Sequence, residues 1–181
     1  MKTMLPLALA VLGLTGCGPG DSLQPSAPPT LTVQTTPNPV TIGQTLSVQI
    51  GLQNGSEPLF LALFIEDPEG RIAQILPNRL PDGAPTLKAG QPVTFPPPGA
   101  LYELRTVAPA GVHTALAYAS REPLKLDGIS SYASAGATFA TVNRQGKGSL
   151  EASLLSAVKV VNPGISQLTS FEVKAGVSTA P

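Results

Sequence analysis

The run from Pro58 to Asn78, PLFLALFIEDPEGRIAQILPN, constrains the fold more than any other stretch of the chain. Leu59-Phe60-Leu61-Ala62-Leu63-Phe64-Ile65 contains no polar residue, so as a strand it must be covered on both faces. Asp67-Pro68-Glu69-Gly70 then supplies turn chemistry. Asp suits the first turn position, Pro has its φ preset for the second, and Gly suits the last. Arg71-Ile72-Ala73-Gln74-Ile75-Leu76 returns as a second, mostly apolar run. Pro77 ends it, because proline has no N–H to donate to a neighbouring strand. The segment reads as a hairpin at the centre of a β core.

The rest of the composition agrees with a β protein. Charged residues make up 12% of the 181, about half the usual share, whereas Pro (20) and Gly (18) are abundant. Few charges and many turn residues favour short strands and tight loops over long, salt-bridged helices. The length suits one domain with a real core. The formal net charge is zero and no Lys/Arg cluster occurs, which argues against nucleic acid as a partner.

The N-terminus carries an address. Lys2 is a minimal positive region and Met4 to Leu14 an apolar one, too short for a permanent membrane span, so residues 1–16 read as a signal peptide. The signal closes on Leu14-Thr15-Gly16-Cys17, which resembles the bacterial lipobox, in which the Cys is acylated and becomes the new N-terminus. Cys17 is the single Cys of the chain and stands at the required place. Acyl chains on Cys17 give stable membrane anchoring, since each buried CH₂ contributes about 0.8 kcal/mol. Removal of the leader also removes both Met residues. The mature chain then has no Met, no Trp, no free thiol and one His.

Residues 17–29 form the anchor and a Pro/Ser/Gly tether. Extended as polyproline II, at about 3.1 Å per residue, it would hold the folded part roughly 35–40 Å from the lipid. By resemblance to enterobacterial sorting, Gly18 in place of Asp favours an outer membrane over the plasma membrane, with the protein facing the periplasm or the cell surface.

Residues 30–181 are the expected domain. Leu31 to Thr35 alternates as a first strand. Leu46, Val48, Ile50 and Leu52 point one way from a second, with Ser47, Gln49 and Gly51 opposite. Thr86 to Gly90 and Pro92 to Phe95 are short strand-like pieces. Leu101 to Val107 alternates with its apolar set on the even positions. Val112 to Ala119 places Val112, Thr114, Leu116 and Tyr118 opposite His113, Ala115, Ala117 and Ala119. The period then changes. Ile129, Tyr132, Phe139 and Val142 suggest a helix over 127–142, capped by Asp127 or Ser130. Leu150, Leu154, Ala157 and Val158 suggest another over 149–159, with Ser149 as N-cap and Asn162-Pro163-Gly164 as the stop. Gln167 to Lys174 reads as the last strand. The expected fold is mainly β: a single-domain antiparallel β-sandwich with two short helices near the C-terminus.

Several tracts resemble the domain-of-unknown-function 4384 family, in the branch carried by short bacterial envelope lipoproteins. They are the strand-turn-strand ending in Ile75-Leu76-Pro77-Asn78, then Leu87-Lys88-Ala89-Gly90 and Ala108-Pro109-Ala110-Gly111. The tract Ala117 to Leu124, Phe139-Ala140-Thr141-Val142 and Val160-Val161-Asn162-Pro163 also match. Together they span about Thr41 to Val173. The resemblance implies a compact, mainly β domain of exported or signalling proteins, with no established chemistry.

Residues able to carry chemistry are few. His113 is the single side chain of a type whose unperturbed titration falls near neutral pH, but it has no second His, no Cys and no carboxylate run beside it, so it reads as a half-exposed strand residue. Glu66, Asp67 and Glu69 could offer oxygen ligands to a cation. Their spacing is not that of an EF-hand, and Pro68 with Gly70 already explains the segment as a turn. No G-x-S-x-G elbow or phosphate loop occurs. No catalytic residue, metal ligand or cofactor site is expected. Asn78 and Arg79, at a strand end, are a candidate recognition pair, although Asn78 also suits a strand stop. Tyr102, Tyr118 and Tyr132 are candidate lining for a pocket between sheet and helices. The expected function is non-enzymatic: a protein-binding or scaffolding module, anchored through Cys17, serving an envelope protein such as a surface-layer or outer-membrane complex. Binding of a small ligand or cation is the alternative.

Overall fold

The computed structural model describes residues 27–176. The signal peptide, Cys17 and most of the tether lie outside the described residues. Eleven strands and one helical segment follow in order. The strands are β1 (Thr30–Thr36), β2 (Val40–Thr41), β3 (Ser47–Gln53), β4 (Leu59–Glu66), β5 (Ile72–Leu76), β6 (Thr86–Leu87), β7 (Val93–Phe95), β8 (Gly111–Ser120), β9 (Ser130–Ser131) and β10 (Ala140–Val142). A π-helical turn, Leu150–Leu154, runs into α1 (Leu155–Val161), and β11 (Gly164–Lys174) closes the chain. The protein is mainly β.

A three-stranded sheet has the order β1-β3-β7. An eight-stranded sheet has the order β2-β11-β8-β4-β5-β10-β9, with β6 pairing the start of β4. The hairpin read from sequence is β4–β5, and β4 lies inside the large sheet between β8 and β5. Both of its faces are covered. Leu61 and Leu63 enter a core shared with Leu31, Val33, Val48, Ile50 and Phe95 of the small sheet. Ala62 and Phe64 enter a second core with Leu150, Leu154 and Val158 of the helical segment. Each fully buried Leu or Phe contributes about 1.5–3 kcal/mol, so this strand dominates both cores.

The alternation of β8 is as expected: Ala115, Ala117 and Ala119 face the first core, Leu116 and Tyr118 the second. Small residues on the first face let the three-stranded sheet approach closely. A bulge interrupts β5. Leu63 pairs with Leu76 and Phe64 with Gln74, leaving Ile75 as the extra residue. Ile75 and Leu76 therefore both point into the first core, which strict alternation would forbid.

Three expectations are corrected. Residues 127–142 are not a helix; they form β9 and β10, which pair with each other and with β5. Gly128 and Gly136 and the short polar residues between them favour turns, and Ile129 and Val142 are buried all the same. One helical segment thus stands where two were expected. Its stripe Leu150, Leu154, Val158 is buried as read, but Ser149 makes no side-chain capping bond. The third correction concerns 101–107. Its even positions face inward, yet it joins the neighbouring chain by the single bridge Thr45–Arg105 and forms no strand. No helix among the described residues is long and apolar enough to cross a membrane.

Candidate binding cleft

The face of the large sheet that carries Ile65, Ala73, Ile75, His113, Phe171 and Val173 forms the floor of a cleft of about 320 Å³. Leu46 and the segment 104–108 form its other wall. That segment is held by backbone bonds to the turn before β3. The Leu46 N–H donates to the Leu104 carbonyl at 2.7 Å, and the Thr106 N–H to the Gln44 carbonyl at 3.0 Å. Thr106 Oγ1 donates to the Thr41 carbonyl at 2.7 Å. The floor is apolar because β4, β5 and β11 each turn their odd-numbered residues this way. Val107, on the rim, is 69% exposed, and Leu101 of the same segment is fully exposed.

His113 sits in the floor, 7% exposed, and not half-exposed as the strand pattern suggested. Its ring stacks on Phe171 at 5.3 Å between centroids and 28° between planes. Nε2 lies 3.1 Å from the Pro109 carbonyl oxygen. A carbonyl only accepts, so Nε2 carries the hydrogen and Nδ1 of the neutral ring is an acceptor.

The charged groups at the cleft are already paired. Asp67 Oδ2 lies 2.6 Å from Arg71 Nε, and Glu69 Oε2 is 3.1 Å from Arg71 Nη2. Asp67 Oδ1 also accepts from the backbone N–H groups of Glu69 at 2.9 Å and Arg71 at 3.0 Å. Burial pushes the Asp67 carboxyl up, but these hydrogen bonds and the guanidinium charge outweigh it and hold the group below its ordinary value. The Asp67 carboxylate correspondingly raises Arg71. Arg105 pairs with Glu103 at 2.6 Å and donates to the Gly43 carbonyl at 3.1 Å.

Glu66 is separated from Asp67 by the pleat and shares its face with Ala62 and Phe64. It is 7% exposed, and its Oε1 has no hydrogen-bond partner among the described residues. Asp67 and Glu69 therefore meet at Arg71, and Glu66 does not join them. Among the described residues no group of three His, Cys, Asp or Glu side chains is placed to hold a metal ion.

Asn78 and Arg79 serve the fold. Asn78 Nδ2 donates to the Ile75 carbonyl at 2.7 Å, and its Oδ1 accepts from the Leu80 N–H at 2.8 Å. Arg79 Nη1 donates to the carbonyls of Ser134 at 3.0 Å and Ala135 at 2.9 Å. Tyr102, Tyr118 and Tyr132 occupy three different places. Tyr102 packs on Phe95, Tyr118 is buried under the helical segment, and Tyr132 lies beneath Arg79. None of them lines the cleft.

The cleft residues were not singled out in the sequence, with the exceptions of His113 and Asp67. One signal existed: Leu101 to Val107 has an apolar even face, which needs a floor beneath it, and the odd face of the central strands is the apolar surface free to be one.

No curated protein and no solved structure matches the chain. Residues 40–123, from β2 through β8, match the model of a family described as Domain of unknown function (DUF4384). That segment holds the central hairpin, Leu46, His113 and the 104–108 wall, and over it the chain is similar to the DUF4384 family.

Proposed function

We propose that this protein is a non-enzymatic, protein-binding module, held at a cell-envelope membrane by an acylated Cys17. In this reading the scaffold is a β-sandwich, and the cleft between its larger sheet and the 104–108 segment seats an apolar side chain of an envelope protein partner. An accessory role in a surface-layer or outer-membrane complex fits a short tether and a domain with one His and no mature thiol. The observation that carries the reading is the apolar floor of Ile65, Ala73, Ile75 and Phe171 opening beside the exposed Val107. An apolar recess with an apolar rim is the form of an anchor pocket at a protein interface.

The test is photo-crosslinking in native membranes from a probe at Val107, with Ala73→Phe as the filled-cleft control. A single dominant envelope protein captured by the wild type and lost in the control supports the reading. Equal capture in both discards it. A small apolar ligand is the second reading, favoured by the cleft volume of about 320 Å³, near the lower end of ligand pockets. Native mass spectrometry of the full chain would then show a bound mass that Ala73→Phe removes.

A further inference from the structure

The C-terminal half of the helical segment carries an apolar pair that faces out. Val158 is buried in the second core. Val160 stands two positions on, about 200° round the helix, and is 85% exposed, with its neighbour Val161 47% exposed. Scattered exposed valines are ordinary, but these two lie among cations. They line one groove with Ile129, Lys125, Arg144 and Asp127, and the exposed Lys159 precedes them in the chain. Among the described residues none of these three cations is in an ion pair, and Asp127 is the one carboxylate in the groove lining.

The place of this face in the fold points to its partner. β8 and β11 pair from Gly164 and Ser120 at one end to Val173 and Gly111 at the other, about 30 Å away. The helical segment finishes at the first end, since only Asn162 and Pro163 separate Val161 from Gly164. The tether reaches the domain there too: Ala27, Pro28 and Pro29 share a recess with Arg121, the residue after Ser120. The cleft, with His113, Phe171 and Val173 in its floor, lies towards the other end. We infer that Val160 and Val161 insert at the surface of an anionic membrane while Lys125, Arg144 and Lys159 meet lipid phosphates. This contact stands the domain on its tethered end and turns the cleft away from the lipid. An apolar face set among Lys and Arg is the form of an interfacial contact, its strength given by buried area plus attraction to anionic lipid. Two valines make a small contact. A short tether holds the face near lipid at an effective concentration of about millimolar order, so a weak contact suffices. The inference rests on the acylation of Cys17 in the proposed function.

The test reconstitutes the full, acylated chain into vesicles of phosphatidylcholine with and without phosphatidylglycerol. Cys17 is the single cysteine of the chain and its sulfur is blocked by acylation, so a fluorophore on Val160→Cys reports that position alone. Spin-labelled lipid should quench it strongly. The same label on Leu101→Cys, fully exposed in the segment that leads to the cleft wall, should be quenched far less. The label is itself apolar, so charge variants decide. Lys125→Gln and Arg144→Gln, both at exposed positions, should each lower the ratio of docked to undocked chain about fivefold. Salt should act alike, as the screening length falls from about 10 Å at 0.1 M to about 3 Å at 1 M. Equal quenching at the two positions overturns the inference, as does none at Val160→Cys because the tether or a second copy covers the face. Quenching of the same strength without phosphatidylglycerol overturns it as well. Mass spectrometry of the Cys17 peptide tests the anchoring reading separately. An unmodified Cys17 discards the anchor alone, and titration of a labelled chain carrying Cys17→Ser with anionic vesicles still reads the docking.

Discussion

The guanidinium carbon of Arg79 lies 3.7 Å above the centre of the Tyr132 ring. The same side chain donates to carbonyls of Ser134 and Ala135, and the Arg79 N–H donates to the Thr138 carbonyl at 3.2 Å. Arg79 thus staples the 132–138 loop to the end of the central hairpin. Arg79→Ala should destabilise the fold by about 1–3 kcal/mol, combining a stacked cation with lost hydrogen bonds. Lys should rescue little, because a point charge cannot stack and bridge together. Chemical denaturation of both variants measures this. A recognition role for Arg79 would instead leave stability unchanged.

Gly70 has a φ of 82°, and a Cβ there would lie 2.4 Å from the backbone of Gly146 and Lys147. Gly43 has a φ of 86° but nothing within 4 Å. Gly43→Ala therefore carries only the conformational cost, about 1 kcal/mol. Gly70→Ala adds a clash with backbone, and should cost about 1–3 kcal/mol more. The pair of denaturation midpoints separates the two effects.

Asp67 gives a pH dependence with a definite sign. Its folded value lies below its ordinary value of 3.8. The stability it contributes is fully present above that ordinary value and is lost as pH falls through the folded one. Asp67→Asn keeps an acceptor for the turn N–H groups and loses the charge facing Arg71. Its unfolding free energy should fall less steeply than that of the wild type as the pH drops below 3.8. Parallel slopes would show that the pair does not discriminate folded from unfolded chain.

Asn162 ties the helix end to a loop. It is buried, its Oδ1 accepts from the Lys125 N–H at 2.7 Å, and its backbone carbonyl accepts from the Tyr118 hydroxyl. Burial raises Tyr118, so its hydroxyl stays protonated and donating well into the alkaline range. Tyr118→Phe and Asn162→Ala should each cost about 1–3 kcal/mol, the penalty for a buried polar group left unpaired. Asn162→Ala keeps the backbone carbonyl to which Tyr118 donates, so the two bonds are separate and the double variant should cost close to the sum of the two.

These residues also show what could be read in the chain beforehand. The β4–β5 hairpin, the two faces of β8 and the stripe Leu150, Leu154, Val158 are periodic and apolar, so burial decided them and the pattern reported it. Residues 127–142 show the opposite case. Ile129 and Val142 are buried, but they mark the two ends of a pair of short strands joined by turns rich in glycine, serine and alanine, and spacing alone mimicked a helix. The cleft was hidden for a different reason. Its floor reads as ordinary core, and no local pattern tells which part of an apolar face a second layer leaves bare. The role of Arg79 depends on partners more than fifty residues away, such as Ser134, a distance that no local motif encodes, whereas Asn78 bonds within its own turn.

The bareness of that floor can be measured by comparing two phenylalanines. Phe64 is fully buried in the core beneath the helical segment, and Phe171 is equally hidden but borders the cleft. Phe64→Ala leaves a closed apolar void, and should cost about 3–5 kcal/mol. Phe171→Ala enlarges a space already open to water, so part of the cavity cost is relieved and the loss should fall below that range. His113 then loses its stacking partner and becomes more exposed, which shifts its ring resonances in an NMR titration. If both variants lose equal stability and the His113 resonances do not move, the floor is sealed core and the cleft reading fails.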